Sequence, residues 1–286
     1  MRLGVDVGGT FVKFTDGENR WKERTPKTKE DLVSLISSVG KSLNVKSIGV
    51  AVAGLVNTKK GTVTESPNLK FLNGFPLKEE LEKKLNVQVS IFNDATAAAY
   101  GEYKLGVGRG SSVFLCLTLG TGLGGGAVIE GAPLFGVSGT AMEVGHITVE
   151  VNGWPCHCGR KGCLEAYVSS YGLERFYFME TGECASSFEV IERAKNRETE
   201  ALKSIDEMSD YLTVGIASLI HLFNPDVVAI SGGIPASYPE LLKTTEQKVK
   251  KRAFKQPASD FSLKLAELGE FSGAFGALLL TMYNSS

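Results

Sequence analysis

Two glycine-rich turns, each carrying a threonine and each set between apolar runs, constrain the fold of this chain more than any other feature. Residues 2–7 (Arg-Leu-Gly-Val-Asp-Val) alternate as a β-strand does, Gly8, Gly9 and Thr10 turn the chain, and Phe11-Val12-Lys13-Phe14 returns as a second strand. The pattern recurs: residues 111–119 read as a strand, Gly120-Thr121-Gly122-Leu123-Gly124-Gly125-Gly126 as a turn, and Ala127-Val128-Ile129 as the returning strand. Glycine loses more conformational freedom on folding than any other residue, so five of them in positions 120–126 exceed what a plain turn needs. The tip of such a hairpin exposes backbone N–H groups to phosphate oxygens, and an acid just before it, Asp6, suits a metal-bound phosphate. The repeat points to two α/β domains of one plan facing a central cleft; the alternative is two unrelated turns. The Gly-x-Gly-x-x-Gly at 120–125 is not the dinucleotide fingerprint, because a strand and not a helix follows it. Gly40-Lys41-Ser42 is no P-loop, since position 35 is Leu where glycine is required.

Elsewhere the apolar period changes between two and 3.6. Helices are expected over 28–43, 77–86, from Asp94 through the alanine-rich run to Tyr100, and over 164–180, 187–203, 205–223, 239–254 and 272–283. Strands are expected at 47–53, 87–92, 227–230 and 263–268. Gly54 and the pair Gly232-Gly233 end two of these strands, where α/β folds place ligands. His221, near the end of the 205–223 helix, reads as a packing or helix-end residue. The domain boundary falls near 105–112. That gives a smaller N-terminal α/β domain, 1–110, which the C-terminal helix (272–286) can complete, and a larger one, 111–271.

Asp94 has two readings. Aspartate is favoured at helix N-caps, and an alanine-rich helix starts here. It also stands at the C-terminal end of a strand, where a general base would meet a ligand. The two are compatible if Asn93 caps and Asp94 faces the cleft.

Residues 143–165 gather the densest chemistry: Glu143-Val144-Gly145-His146, then Cys156-His157-Cys158-Gly159-Arg160-Lys161-Gly162-Cys163-Leu164-Glu165. Cys156, Cys158 and Cys163 offer three soft ligands from one loop, and a structural zinc needs four. His146, His157 and the distant Cys184 compete for the fourth place. His146 is preferred, because His157 between two ligating cysteines would strain the site. The chain has five cysteines, and three in one short loop favour a metal over a disulfide framework.

No apolar run approaches the roughly 18 residues of a membrane span. The chain opens directly into a strand with no secretory pattern, which argues for the cytoplasm. A net charge of −1 and the lack of a dense basic run give no support to a nucleic-acid partner.

Together these pieces resemble the ROK family of sugar kinases and related repressors, in the actin/hexokinase-like (ribonuclease H-like) superfamily. The resemblance runs through Asp6-Val7-Gly8-Gly9-Thr10, Ser66-Pro67-Asn68-Leu69, Asn93-Asp94-Ala95, Leu119-Gly120-Thr121-Gly122, Glu143-Val144-Gly145-His146, the cysteine loop with Glu165, and Ser231-Gly232-Gly233. It implies an ATP-dependent kinase acting on a hexose hydroxyl, the 6-OH of glucose first among candidates, with N-acetylglucosamine, N-acetylmannosamine, fructose, mannose and allose open. By the same resemblance Asp94 is the catalytic base, and Gly54, Asn68, Asn93, Asp94, Glu143, His146 and Glu165 bind the sugar. Asp6, Gly8, Gly9, Thr10, Lys13, Gly120, Thr121, Gly122, Gly232 and Gly233 serve ATP and its Mg²⁺, while His146, Cys156, Cys158 and Cys163 hold a structural Zn²⁺. The resemblance further implies a homodimer or dimer of dimers. Two positions depart from the pattern: Asn57 ends a turn that usually carries an acid, and Met142 precedes Glu143 where glycine is usual. The family's repressors carry an N-terminal DNA-binding segment; here the first hairpin begins at residue 2, so none is expected. A non-catalytic sugar sensor and a zinc-dependent hydrolase are the competing readings.

Overall fold

The computed structural model describes residues 1–283, and in it the same strand order occurs twice. The first half of the chain gives β1 (Arg2–Val7), β2 (Phe11–Thr15), β3 (Arg20–Arg24), α1 (Lys29–Ser42), β4 (Ser47–Val52), β5 (Leu55–Asn57), β6 (Thr62–Glu65), α2 (Leu77–Leu85), β7 (Gln88–Asn93) and α3 (Asp94–Leu105). The remainder gives β8 (Val113–Leu119), β9 (Leu123–Ile129), β10 (Ala132–Pro133), α4 (Glu165–Val168), α5 (Ser170–Thr181), α6 (Ser187–Lys195), α7 (Thr199–Phe223), β11 (Val227–Ser231), α8 (Gly233–Ser237), α9 (Glu240–Arg252), α10 (Lys255–Asp260), β12 (Ser262–Leu265) and α11 (Ser272–Tyr283). One sheet runs β3-β2-β1-β4-β7 and the other β10-β9-β8-β11-β12. In the first, β1–β2 and β2–β3 are antiparallel while β1–β4 and β4–β7 are parallel. In the second, β9–β10 is antiparallel and β8–β11 and β11–β12 are parallel. This is the repeated α/β plan of the actin/hexokinase-like fold, and it is why β4 and β11 read as nearly unbroken apolar runs: strands covered on both faces need no polar alternation.

By packing, the chain divides into two units. One comprises Met1–Arg109, Gly126–Met142 and the described residues from Leu268 onward; the other comprises Gly110–Gly125 and Glu143–Glu267. Of the expected second domain, 111–271, residues 126–142 and 268–271 pack with the first unit. The reason lies in Gly126, where a Cβ would stand 2.5 Å from Ala99 Cβ and 2.7 Å from Ala95 O, so only glycine lets β9 pack on α3. This also corrects the length of the second turn: Gly124, Gly125 and Gly126 lie within β9, and the turn itself is Gly120–Gly122.

In the first unit α11 packs on β1, β4 and α3 through missing side chains. A Cβ at Gly4 would meet Ala274 O at 2.1 Å, one at Gly49 would meet Ala277 O at 2.0 Å, and one at Gly276 would meet Ala97 O at 1.6 Å. Of the expected helix 272–286, residues 284–286 lie outside the described residues. Leu3, Val5, Ile48 and Val50 alternate with Gly4 and Gly49 and so face away from α11, into a buried core that includes Leu32, Ile36 and Ile91.

The second unit departs from the expected helices at two places. The run 164–180 breaks at Ser169, whose extended backbone and side chain cap α5 at Gly172 N–H. The run 187–223 breaks at Asn196–Glu198 rather than near 204: Asn196 ends α6, and Arg197 takes φ +67°. Ser204 stays helical by returning its hydroxyl to Glu200 O at 2.8 Å. His221 is a helix-end residue, its Nε2 accepting the Phe254 N–H at 3.2 Å.

Candidate active site

In the first unit the hairpin register sets Asp6 opposite Lys13, with Lys13 Nζ 3.4 Å from Asp6 Oδ2. Asp6 is buried, and burial pushes its carboxyl pKa up against the opposing pull of Lys13. Gly273 lets the first turn of α11 reach this carboxylate, since a Cβ there would lie 2.9 Å from Asp6 Cγ. The Gly8 N–H donates to Phe11 O at 3.1 Å and closes the hairpin tip. Gly9 sits against the Ser66–Leu69 loop, its Cβ direction ending 3.4 Å from Asn68 Cβ.

That loop is fastened to the end of β4. Ser66 Oγ donates to Ala53 O at 2.6 Å and accepts the Leu69 N–H at 3.1 Å. Gly54 has φ +118°, and a Cβ would stand 2.4 Å from Glu65 O, so no other residue fits there. Asn93 joins this corner to α3. Its Oδ1 accepts the Thr96 N–H at 2.9 Å, and its Nδ2 donates to Gly54 O at 3.0 Å and Asp94 Oδ1 at 3.1 Å. Asn93 is therefore the N-cap and Asp94 the first helical residue. The cap reading of Asp94 is overturned: the residue before it does that work. The first unit thus collects Gly54, Asn93 and Asp94 at one strand-to-helix junction, and Gly9 and Asn68 at a second contact.

In the second unit the cysteine loop folds on two short antiparallel bridges, Thr148 with Cys163 and Pro155 with Lys161. Gly162, at φ +73°, passes so near Glu150 O that a Cβ would lie 1.6 Å from it. The ligand atoms of His146, Cys156, Cys158 and Cys163 all lie within 4.8 Å of one another. Cys158 Sγ and Cys163 Sγ are 3.6 Å apart, and Cys156 Sγ and His146 Nδ1 are 3.8 Å apart. The edges of a tetrahedron with Zn–S and Zn–N bonds of about 2.0–2.3 Å measure about 3.5–3.8 Å, so the donor set fits that ion. The competing fourth ligands are elsewhere: His157 stacks on Tyr171 at 4.2 Å, and Cys184 is an exposed residue outside the cluster. Burial pushes the Cys156 thiol up to about 12, so without a cation this sulfur keeps its proton.

Glu165 ties this cluster to the second glycine turn. Its Oε2 accepts the Leu123 N–H at 3.0 Å, and its Oε1 lies 3.5 Å from Cys156 Sγ. The turn is held from its other side by Ser170, whose N–H and hydroxyl both donate to Gly120 O, at 2.9 and 3.0 Å. Gly122 is a close-approach glycine, since a Cβ there would lie 2.6 Å from Glu165 Oε2. Glu143 is half-buried, and burial, with Glu165 adding repulsion, raises its pKa. Met142 has φ +67°, a left-handed conformation that favours glycine. Gly232, at φ +126°, would place a Cβ 1.7 Å from Leu119 O, whereas a Cβ on Gly233 would meet nothing within 4 Å.

Tyr171, Ser170 and Leu123 were not among the expected site residues. Only the break at Ser169 brings Ser170 and Tyr171 back toward the turn, and a continuous 164–180 helix conceals it. Gly122→Ala should lower kcat/KM by about 10–100-fold, because the new methyl displaces the Glu165 carboxylate from the Leu123 N–H, a charge-assisted bond of about 1.5–3 kcal/mol. Steady-state kinetics beside Gly120→Ala, whose Cβ would meet nothing within 4 Å, check this; equal losses in the two variants contradict it.

Residues 2–283 match the ROK family. The chain belongs to the ROK family. Among ROK relatives, a glucokinase of Halalkalibacterium halodurans is 33% identical, over 96% of this chain and 92% of the relative. An N-acetylgalactosamine kinase of a Shewanella species is 32% identical, over 98% of this chain and 96% of the relative. The crystal structure of a ROK glucokinase from Streptomyces griseus, in complex with glucose and AMPPNP, superposes with a TM-score of 0.83 at 30% identity and 98% coverage of both chains. No helix among the described residues is long and apolar enough to cross a membrane.

Proposed function

We propose that this protein is an ATP-dependent sugar kinase that transfers the γ-phosphate to a hexose hydroxyl, the 6-OH of glucose first among candidates. The observation that carries the reading is the near-full-length likeness to a glucokinase at 33% identity; the equally long likeness to an N-acetylgalactosamine kinase keeps N-acetylhexosamines in view.

Phosphoryl transfer asks little covalent chemistry of a protein; it asks for alignment, charge neutralisation and a proton acceptor. Asp94 accepts the proton of the attacking hydroxyl. Its place supports this, since a strand end next to a separate cap residue positions a carboxylate without committing it to the helix. Asn68, Asn93, Glu143, His146 and Glu165 bind sugar hydroxyls, the two glutamates as acceptors only, while Gly54 shapes the corner. His146 serves the metal cluster through Nδ1, which leaves Nε2 for the sugar. Gly8, Gly9, Thr10, Gly120, Thr121 and Gly122 bring N–H and hydroxyl donors to phosphate oxygens, Lys13 adds a positive charge, and Gly232 and Gly233 give the nucleotide a side-chain-free approach. Mg²⁺ takes few protein carboxylates and several phosphate or water oxygens; Asp6 is the carboxylate here, and the ion supplies charge neutralisation to the phosphates. Zn²⁺ at His146, Cys156, Cys158 and Cys163 is structural, because four protein ligands leave no open position for water.

The reading extends to a cytoplasmic homodimer or dimer of dimers. None of the five cysteines is paired in a disulfide, which is consistent with a reducing compartment. Phe178 and Met179 on α5 and Phe188 on the neighbouring α6 are exposed apolar side chains suited to a subunit contact.

A coupled ADP-release assay over glucose, mannose, fructose, allose and the N-acetylhexosamines tests the function. Turnover with at least one of them is expected. Sugar-dependent stabilisation without ADP release would instead establish a sensor.

A further inference from the structure

Tyr171 has no part in the chemistry described so far, yet it touches both halves of the second-unit site. It lies in the first turn of α5 with its hydroxyl 3.4 Å from Glu165 Oε1 and 3.9 Å from Cys156 Sγ. The exposed His157 ring rests against the tyrosine ring, with centroids 4.2 Å apart. These contacts are long for hydrogen bonds and leave the hydroxyl room to tighten onto either atom.

The two acceptors are not independent. Glu165 Oε2 is held by the Leu123 N–H. Glu165 Oε1 faces Cys156 Sγ at 3.5 Å, a contact that is favourable while the sulfur carries a proton. A cysteine that ligates a metal does so as thiolate and has no proton to give. Once the cluster is filled, a carboxylate oxygen and a thiolate sulfur therefore face each other at close range, both acceptors. Like charges so placed repel unless a donor sits between them. The phenol of Tyr171 is the donor within reach of both.

We propose that Tyr171 is a positioning residue for Glu165: its hydroxyl donates to the Glu165 carboxylate beside the metal-bound Cys156 sulfur, and so keeps Glu165 in its sugar-binding orientation when the cluster is loaded. This rests on the sugar-kinase reading, in which Glu165 binds the sugar. Tyr171 touches no reacting atom and acts through Glu165 Oε1, while Oε2 keeps its bond from the Leu123 N–H, so its removal weakens sugar binding more than it disturbs the glycine turn.

The test uses the full chain loaded with zinc, comparing the parent, Tyr171→Phe, Glu165→Gln and the double variant. Tyr171→Phe keeps the ring against His157 and deletes only the hydroxyl. Sugar affinity is read by calorimetry without ATP; KM for sugar and for ATP, kcat, bound zinc and Tm are measured in parallel. The expected result is a rise of about tenfold in sugar Kd and KM, matching the loss of one charge-assisted hydrogen bond, with ATP KM and kcat within about twofold and zinc content and Tm unchanged. In the Glu165→Gln background the same substitution should add no further loss. A Tyr171→Phe protein that binds sugar as the parent does overturns the inference, as does one that loses zinc or weakens ATP and sugar equally. A parent protein that binds no sugar of the panel overturns the sugar-kinase reading itself, and this inference with it.

Discussion

Asp94→Asn should lower kcat by about 10²–10⁴ while leaving the KM for sugar within a few-fold, the loss typical of removing a positioned general base. The structure makes this a clean substitution. Asparagine is nearly isosteric, and the cap of α3 is provided by Asn93, whose Oδ1 holds the Thr96 N–H. The fold should lose the small favourable interaction of a negative charge with the helix N-terminus, about 0.3–1 kcal/mol, while the asparagine Oδ1 keeps an acceptor for the Asn93 amide. Asn93→Ala is the instructive contrast. It deletes the cap and the bond to Gly54 O, and should cost about 1–2 kcal/mol of stability along with the position of the neighbouring aspartate. Single-turnover and steady-state rates beside melting curves separate the two variants. An Asp94→Asn protein with the parent's kcat would remove Asp94 from the chemistry.

Loss of the metal cluster should be the largest single blow to stability. Cys163 is 1% exposed and its backbone bridges to Thr148, so Cys163→Ala opens the ligand set from the inside. Metal loss is among the few single changes that exceed about 4 kcal/mol, because binding free energy is folding free energy in such loops. Chelation followed by dialysis should do the same to the parent, lowering Tm and activity together, and zinc should restore both. A chelated protein that keeps its Tm but loses activity would place the metal in the reaction and favour the hydrolase reading. Glu165 links the two effects: one carboxylate faces Cys156 and also holds the second glycine turn, so a disordered cysteine loop carries the turn with it.

The elements that were legible in sequence are those whose signal is local. Both hairpin turns, the apolar strands β1, β4, β7, β8 and β11 and the amphipathic α1 follow from a period of two or 3.6 within a few residues. The cysteine spacing pointed to a metal because three thiols in one loop have few other uses. Signals that depend on distant neighbours are not legible locally. Gly124–Gly126 belong to β9 because α3 packs against Gly126, and no property of the glycines themselves distinguishes that from a turn. The break at Ser169 and the resulting reach of Tyr171 are equally invisible, since the run around them is continuous in helix-forming residues.

The choice at Asp94 shows the division plainly. That a strand ends and a helix begins at Asn93-Asp94 follows locally, because an apolar run meets an alanine-rich one. Which residue caps was decided by tertiary structure, through the Gly54 carbonyl that anchors the Asn93 amide. The fourth ligand followed the same rule. Local spacing offered His146, His157 and Cys184, and the folded chain brings His146 into the cluster that could hold a metal, with His157 against Tyr171 and Cys184 outside the cluster. Short-range periodicity and composition set which segments form. Where a side chain is aimed depends on contacts made across long stretches of chain, and those exist only once the sheets and helices have packed.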